Sequence, residues 1–217
     1  MVRTADHEAR RRQIADAVHR LVAKSGLDAA TVAAVAREAG CSVGLVQHYF
    51  PGKDALLRFT CEQVMAGVND RIQARIAEGV EGGQPIRAVV HGGLTEILPV
   101  DEARRAEHRV RRTFAARALD SPALAEVART MAADYRGQLA GAVKNGKECG
   151  EVAPDLDAER TATGLMALVE GLADQLYHDP GRCSLGSVAE DLLRSYLDGI
   201  FTGECRQYGR GADLGTG

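Results

Sequence analysis

Apolar residues recur along most of the chain at the spacing of an α-helix, and breaks in that recurrence divide it into segments. Between about Glu8 and Lys24, Ile14, Ala17, Val18, Leu21 and Val22 make one stripe, with Arg10, Arg11, Arg12 and Arg20 on the remaining surface. Val32, Val35, Ala36 and Ala39 then fall at i, i+3, i+4 and i+7, so a short second helix needs a partner for that face. Thr31 stands where an N-cap is needed, Gly40 where a helix would stop, and Ser42 where the next helix would be capped. Val46 and Phe50 can turn inward from this third helix, which leaves Val43, Gly44, Gln47 and His48 outward on a narrow rod that fits a major groove.

After Pro51-Gly52 the pattern lengthens. Leu56, Thr60, Val64, Val68, Ile72 and Ile76 step by four, which predicts one helix from Lys53 to about Glu78. Helices are predicted over Ile86–Leu98, Asp101–Leu119, Pro122 to about Lys144, Asp157–His178 and Ser187–Phe201, separated by Gly- and Pro-containing breaks. Asn145–Asp155 reads as a loop from Gly146, Gly150 and Pro154. The expected fold is all-α: a three-helix helix-turn-helix domain over 1–52 and a bundle of about six helices over 53–203. Residues 53–78 would be the linking helix and 204–217 a flexible tail.

Composition agrees with helix-on-helix packing. The chain of 217 residues has no Trp and 4% aromatics, while 45% hydrophobic and 26% charged residues are ordinary for a folded chain. The formal charge of −3 hides an asymmetry, because residues 1–60 hold nine Lys/Arg against six Asp/Glu. A net +3 in front and −6 behind suits phosphate contact by the front segment alone. The five cysteines form no C-x-x-C pair and stand at no metal spacing with His, which suggests reduced, mostly buried thiols and no cofactor. No stretch approaches a membrane span and no signal-peptide core is evident, so the expected location is the cytoplasm.

From Thr31 to Leu57 the chain reads Thr-Val-x-x-Val-Ala-x-x-Ala-Gly-x-Ser-x-Gly-x-Val-x-x-Tyr-Phe-x-x-Lys-Asp-x-Leu-Leu. This stretch, with Arg11-Arg12-Gln13-Ile14 upstream, resembles the DNA-binding domain of TetR-type transcriptional repressors. Arg109–Ala118, Ser121-Pro122-Ala123-Leu124, Gly150-Glu151-Val152 and Leu168–Ala173 are similar to the BetI-like branch of that family. The resemblance implies a homodimer on a palindromic double-stranded DNA operator, released by a small-molecule effector held in a C-terminal cavity. By the same resemblance Thr31 and Ser42 look like phosphate-contacting caps and Lys53 like the basic contact opening the linking helix. Val43, Gly44, Gln47, His48 and Tyr49 occupy the recognition positions. Gln47 departs from the Tyr found in many members, and a glutamine suits a bidentate contact to adenine. Cys41 stands where Val is usual and reads as core.

The family joins its protomers through the last two long helices, which points to Leu165, Leu168, Leu172, Leu176, Leu192, Tyr196 and Ile200 as interface candidates. Phe114, Met131, Tyr135 and Met166 could line the pocket or simply pack. Glu170 and Asp174, four apart on an apolar helix, would need a cationic partner if buried, either a ligand or Arg109, Arg112 or Arg117 of the basic helix. Two other readings remain: a transcriptional activator, or a helical binding module that ignores ligands. An enzyme is not expected, since the chain holds no G-x-S-x-G, phosphate loop, dinucleotide fingerprint or H-E-x-x-H.

Overall fold

The computed structural model describes residues 2–179 and 183–206, with side chains over 7–179 and 186–206. Among these residues the protein is all-helical. The helices are α1 (Val2–Ser25), α2 (Val32–Glu38), α3 (Val43–Tyr49), α4 (Lys53–Glu81), α5 (Ile86–Thr95), α6 (Glu102–Ala118), α7 (Pro122–Cys149), α8 (Ala158–His178) and α9 (Cys183–Ile200), with one 3-10 turn at Leu27–Ala29. None is long and apolar enough to cross a membrane.

Several helices outrun the sequence pattern. The first begins at Val2 instead of near Glu8, and α4 and α7 reach Glu81 and Cys149 instead of about Glu78 and Lys144. Both extensions pass through a glycine that looks like a breaker in the sequence. A Cβ on Gly79 would collide with the Val89 side chain, and one on Gly146 would stand 2.6 Å from Val152 Cγ2 and 3.0 Å from Phe201. The missing side chains admit close neighbours, and that packing outweighs the roughly 1 kcal/mol propensity cost of glycine in a helix. In the other direction, α5 stops at Thr95. Glu96, Ile97 and Leu98 follow in tighter i to i+3 turns, and Glu96 is buried where it accepts from Arg71 and Arg75 of α4 at 3.1 and 3.2 Å.

The chain forms two compact units, one of residues 1–67 and 99–129 and the other of 68–98 and 130–217. These are drawn differently from the contiguous blocks 1–52 and 53–203, because α6 belongs with α1. Its buried face carries His108, Val110, Phe114 and Ala118. Arg109 donates to the Ala23 carbonyl at 2.7 Å near the end of α1, and Arg117 grips Asp54 of α4 at 2.9 and 3.4 Å. Ile14, Val18, Val22, Val35, Val46 and Leu57 are almost completely enclosed in the same unit. In the second unit α8 and α9 pack around Leu165, Val169, Leu193 and Leu197, each contributing about 1.5 to 3 kcal/mol by burial.

Two histidines are held in their neutral form. Burial lowers the pKa of His19 in the first unit and of His91 in the second, below the ordinary 6.5 in each case, with Arg194 and Arg87 adding to the effect at His91. Their Nε2 atoms are enclosed without a hydrogen-bond partner. The unfolded chain protonates first as pH falls, so the stability these groups contribute is present above pH 6.5 and is lost on acidification below it. The melting temperature should therefore be lower at pH 5.5 than at pH 7.5, and His19→Gln should flatten that slope; an unchanged slope in thermal scans would contradict the assignment.

Candidate functional site

The best-defined local geometry is the pair α2 and α3 with the turn between them. Thr31 Oγ1 accepts from the Ala34 N–H at 3.2 Å, and Ser42 Oγ accepts from the Leu45 N–H at 3.1 Å, so each hydroxyl caps its helix. A capping hydroxyl that accepts keeps its own proton free to donate outward. Between the two helices Gly40 takes φ +64°, and the Cys41 N–H reaches back to the Ala36 carbonyl at 2.9 Å, the six-to-one bond of a glycine-terminated helix. Gln13 of α1 donates to the Ala39 carbonyl at 2.7 Å and fixes that end.

Val46 and Phe50 are buried, as the spacing predicts, and Val35 and Ala36 close the other side. What α3 leaves outside is Val43 at 43% exposure with Gly44, Gln47 and His48, at positions i, i+1, i+4 and i+5 of one face. Tyr49 is half-buried, its ring 4.6 Å from that of His7 in an edge-on contact. Lys53 is exposed at the start of α4, where it forms a surface ion pair with Asp28 at 3.8 Å. Arg11 is not simply a solvated cation: its guanidinium lies 4.2 Å above the Phe59 ring.

A cavity of about 660 Å3 lies within the second unit. Ile72, Ile76, Ile86, Val89, Leu94, Ile97 and Leu139 supply apolar wall, and Gln73, Gln138, Asn145 and Glu148 supply hydrogen-bonding groups. Of the residues expected to line a pocket, Tyr135 and Met166 do so, whereas Met131, Glu170 and Asp174 are not in the lining. Phe114 belongs to the other unit, where it is buried against the α1 side of α6. Glu170 is exposed, and Arg109 and Arg117 are engaged with Ala23 and Asp54. Ile72 and Ile76 were legible only as part of the α4 stripe. Gln73, Gln138 and Asn145 stand on helices that carry many other polar residues, so the sequence does not mark them as cavity groups.

One end of the cavity wall is held by Glu151, which is 2% exposed. Its two oxygens accept from the Ile86 and Arg87 N–H groups at 2.8 and 3.0 Å, so it caps α5 from a distant part of the chain. Pro85, in the N-cap position, makes no such bond. Cys149 donates to the same carboxylate at 3.4 Å, and burial pushes its thiol up to about 11. In the first unit burial pushes the Cys61 thiol up to about 12.

Of the seven interface candidates, Leu165, Leu176 and Ile200 are buried in the chain's own core, because α8 and α9 pack on each other through them. Leu168 and Leu172 are half-buried. Leu192 and Tyr196 are exposed at 49% and 42%, and with Val188 at 45% they make an apolar row stepping by four along α9.

A capped helix-turn-helix in one unit, with a cavity in the helical bundle of the other, is the build of a DNA-binding transcriptional regulator. Residues 14–58 match the bacterial regulatory proteins of the tetR family, and residues 85–202 match the C-terminal region of the BetI-type transcriptional repressors. The chain belongs to the TetR family, with a BetI-type C-terminal region. It is 28% identical over 208 residues to the regulator PksA of Bacillus subtilis, spanning 95% of this chain and 97% of that one. It is 30% identical over 164 residues to BetI 1 of Chromohalobacter salexigens, spanning 75% and 76%. A transcriptional regulator from Rhodococcus sp. Rha1 superposes with a TM-score of 0.74 at 31% identity, over 88% of this chain and 96% of that one. The fold is shared also by a regulator from Saccharomonospora viridis in complex with choline, with a TM-score of 0.69 at 24% identity, over 87% and 93%.

Proposed function

We propose that this chain is a repressor that binds a palindromic operator as a homodimer and leaves it when a small molecule fills the cavity of the second unit. The observation that carries the reading is the outward face of α3, where Val43, Gly44, Gln47 and His48 are exposed while Val46 behind them is buried. In this reading Thr31, Ser42 and Lys53 meet phosphate, and Gln47 and His48 meet base edges with Val43, Gly44 and Tyr49 beside them. The apolar row Val188, Leu192 and Tyr196 on α9 supports a partner copy of the same chain, with Leu168 and Leu172 of α8 alongside. Two recognition helices would then read successive major grooves ~34 to 36 Å apart.

The effector we infer is mostly apolar and drug-sized. The cavity of about 660 Å3 is in the range that holds such molecules, and Tyr135 is the aromatic ring in its described lining. One ring does not make the aromatic cage that quaternary ammonium ions favour, so a choline-like cation fits this wall poorly. Gln73, Gln138 and Asn145 would orient the ligand through its polar groups. Occupancy must favour the released state by ~1 to 3 kcal/mol to regulate usefully.

The test is binding of the chain to DNA from upstream of its own gene, with random DNA as control. Specific, salt-sensitive affinity is expected; equal affinity for both, insensitive to salt, would end the repressor reading. Gln47→Ala should lose roughly 1 to 3 kcal/mol and relax preference at one base pair. Uniform weakening across all single-base operator variants would place Gln47 on phosphate instead.

A further inference from the structure

The segment after α9 folds back over the end of α7. The Gly203 N–H donates to the Glu151 carbonyl at 3.0 Å and the Arg206 N–H donates to the Cys149 carbonyl at 2.8 Å. Glycine is needed on both sides of this crossing. Gly150 takes φ +96°, a left-handed conformation, and a Cβ on Gly203 would run into the Gly150 carbonyl oxygen. The crossing sets Cys205 beside Cys149 and Glu151: the two Sγ atoms and a carboxylate oxygen all lie within 4.8 Å of one another. Cys149 and Glu151 are each 2% exposed, and Cys149 and Cys205 both belong to the cavity lining.

We propose that Cys149, Glu151 and Cys205 bind a zinc ion whose fourth position opens into the cavity. Two sulfurs and one carboxylate oxygen suit a borderline-soft divalent ion, and oxygen-preferring magnesium or calcium would reject them. Ligand atoms around one tetrahedral zinc stand about 3.5 to 3.8 Å apart, given bonds of ~2.0 to 2.3 Å. Cys149 Sγ and the Glu151 oxygen already stand 3.4 Å apart, so closing the site asks chiefly for a shift of Cys205, on the short segment after α9. Glu151 keeps its carboxylate oriented through the α5 N–H groups, the kind of outer support that fixes metal ligands. Three protein ligands with an open fourth position leave room for water or for a donor atom of a cavity ligand.

The experiment is a titration of the full-length, reduced, metal-stripped chain with Cd2+ as a spectroscopic stand-in, followed by displacement with Zn2+. A thiolate-to-cadmium absorption band that saturates at one ion per chain is expected, and zinc should abolish it. Cys149→Ser and Cys205→Ser should each weaken binding by ~100-fold or more, since even supporting residues of metal sites cost up to that much. Cys41→Ser, in the other unit, should leave the titration unchanged. Cys205 lies beyond the last helix, so its variant keeps the test open if Cys149→Ser does not fold. No band in the reduced protein, or full binding in either serine variant, overturns the proposal. So does a chain that takes no cadmium but joins Cys149 to Cys205 as a disulfide.

Discussion

Glu151→Ala is expected to destabilise the second unit by about 2 to 5 kcal/mol, because it removes two charge-assisted hydrogen bonds that a buried carboxylate accepts from the part-buried Ile86 and Arg87 N–H groups. Ile86 and Arg87 begin α5, where N–H groups have no partner within the helix, and Pro85 offers no cap of its own. The carboxylate also places negative charge at the positive end of the helix dipole. Glu151→Gln should recover part of the loss, as its amide oxygen can serve one donor but brings an NH2 toward the other. Urea unfolding followed by circular dichroism would measure both. An alanine variant within ~0.5 kcal/mol of wild type would mean that water takes over the cap, contrary to the burial of this carboxylate.

Leu192→Glu should leave the fold intact and remove the operator affinity. Leu192 is 49% exposed in the single chain, so the charge meets water in a monomer, but in the proposed dimer it would be buried without a partner. Two half-sites held together gain ~100- to 10,000-fold in avidity, and a monomeric variant forfeits that gain. Light scattering should report a monomer, and circular dichroism an unchanged helix content. The neighbouring Leu193→Glu makes the contrast, since Leu193 is fully enclosed between α8 and α9 and that variant should unfold. A Leu192→Glu protein that stays dimeric with full affinity would put the interface elsewhere.

The helix-turn-helix was readable in the sequence because its determinants are local. Thr31, Gly40 and Ser42 mark ends, and the i, i+3, i+4 pattern marks the inner face, all within a short stretch. The cavity was not readable, since its wall is drawn from α4, α5, α7, α8 and the segment after α9, and an isoleucine that lines a hole has the same periodicity as one that fills a core. Phe114, which has the periodicity of a pocket residue, packs in the core of the other unit. The basic character of α6 is plain in the sequence, but the partners of Arg109 and Arg117 are not: Arg109 answers a carbonyl and Arg117 an aspartate, each many residues earlier. Glycine misled in a third way. Gly79 and Gly146 look like stops, yet each is a contact surface inside a helix, and only the neighbour across the gap reveals it.

The interleaving of the first unit bears on any attempt to rewire this regulator. A graft of residues 1–52 onto a foreign sensory body would carry the reading helices but leave behind α6, whose buried face and Arg109 complete the support of α1. Such a hybrid would expose apolar surface and aggregate. A transferable reading head must take 99–129 with it, so specificity in this chain can be exchanged only as two separate stretches moved together.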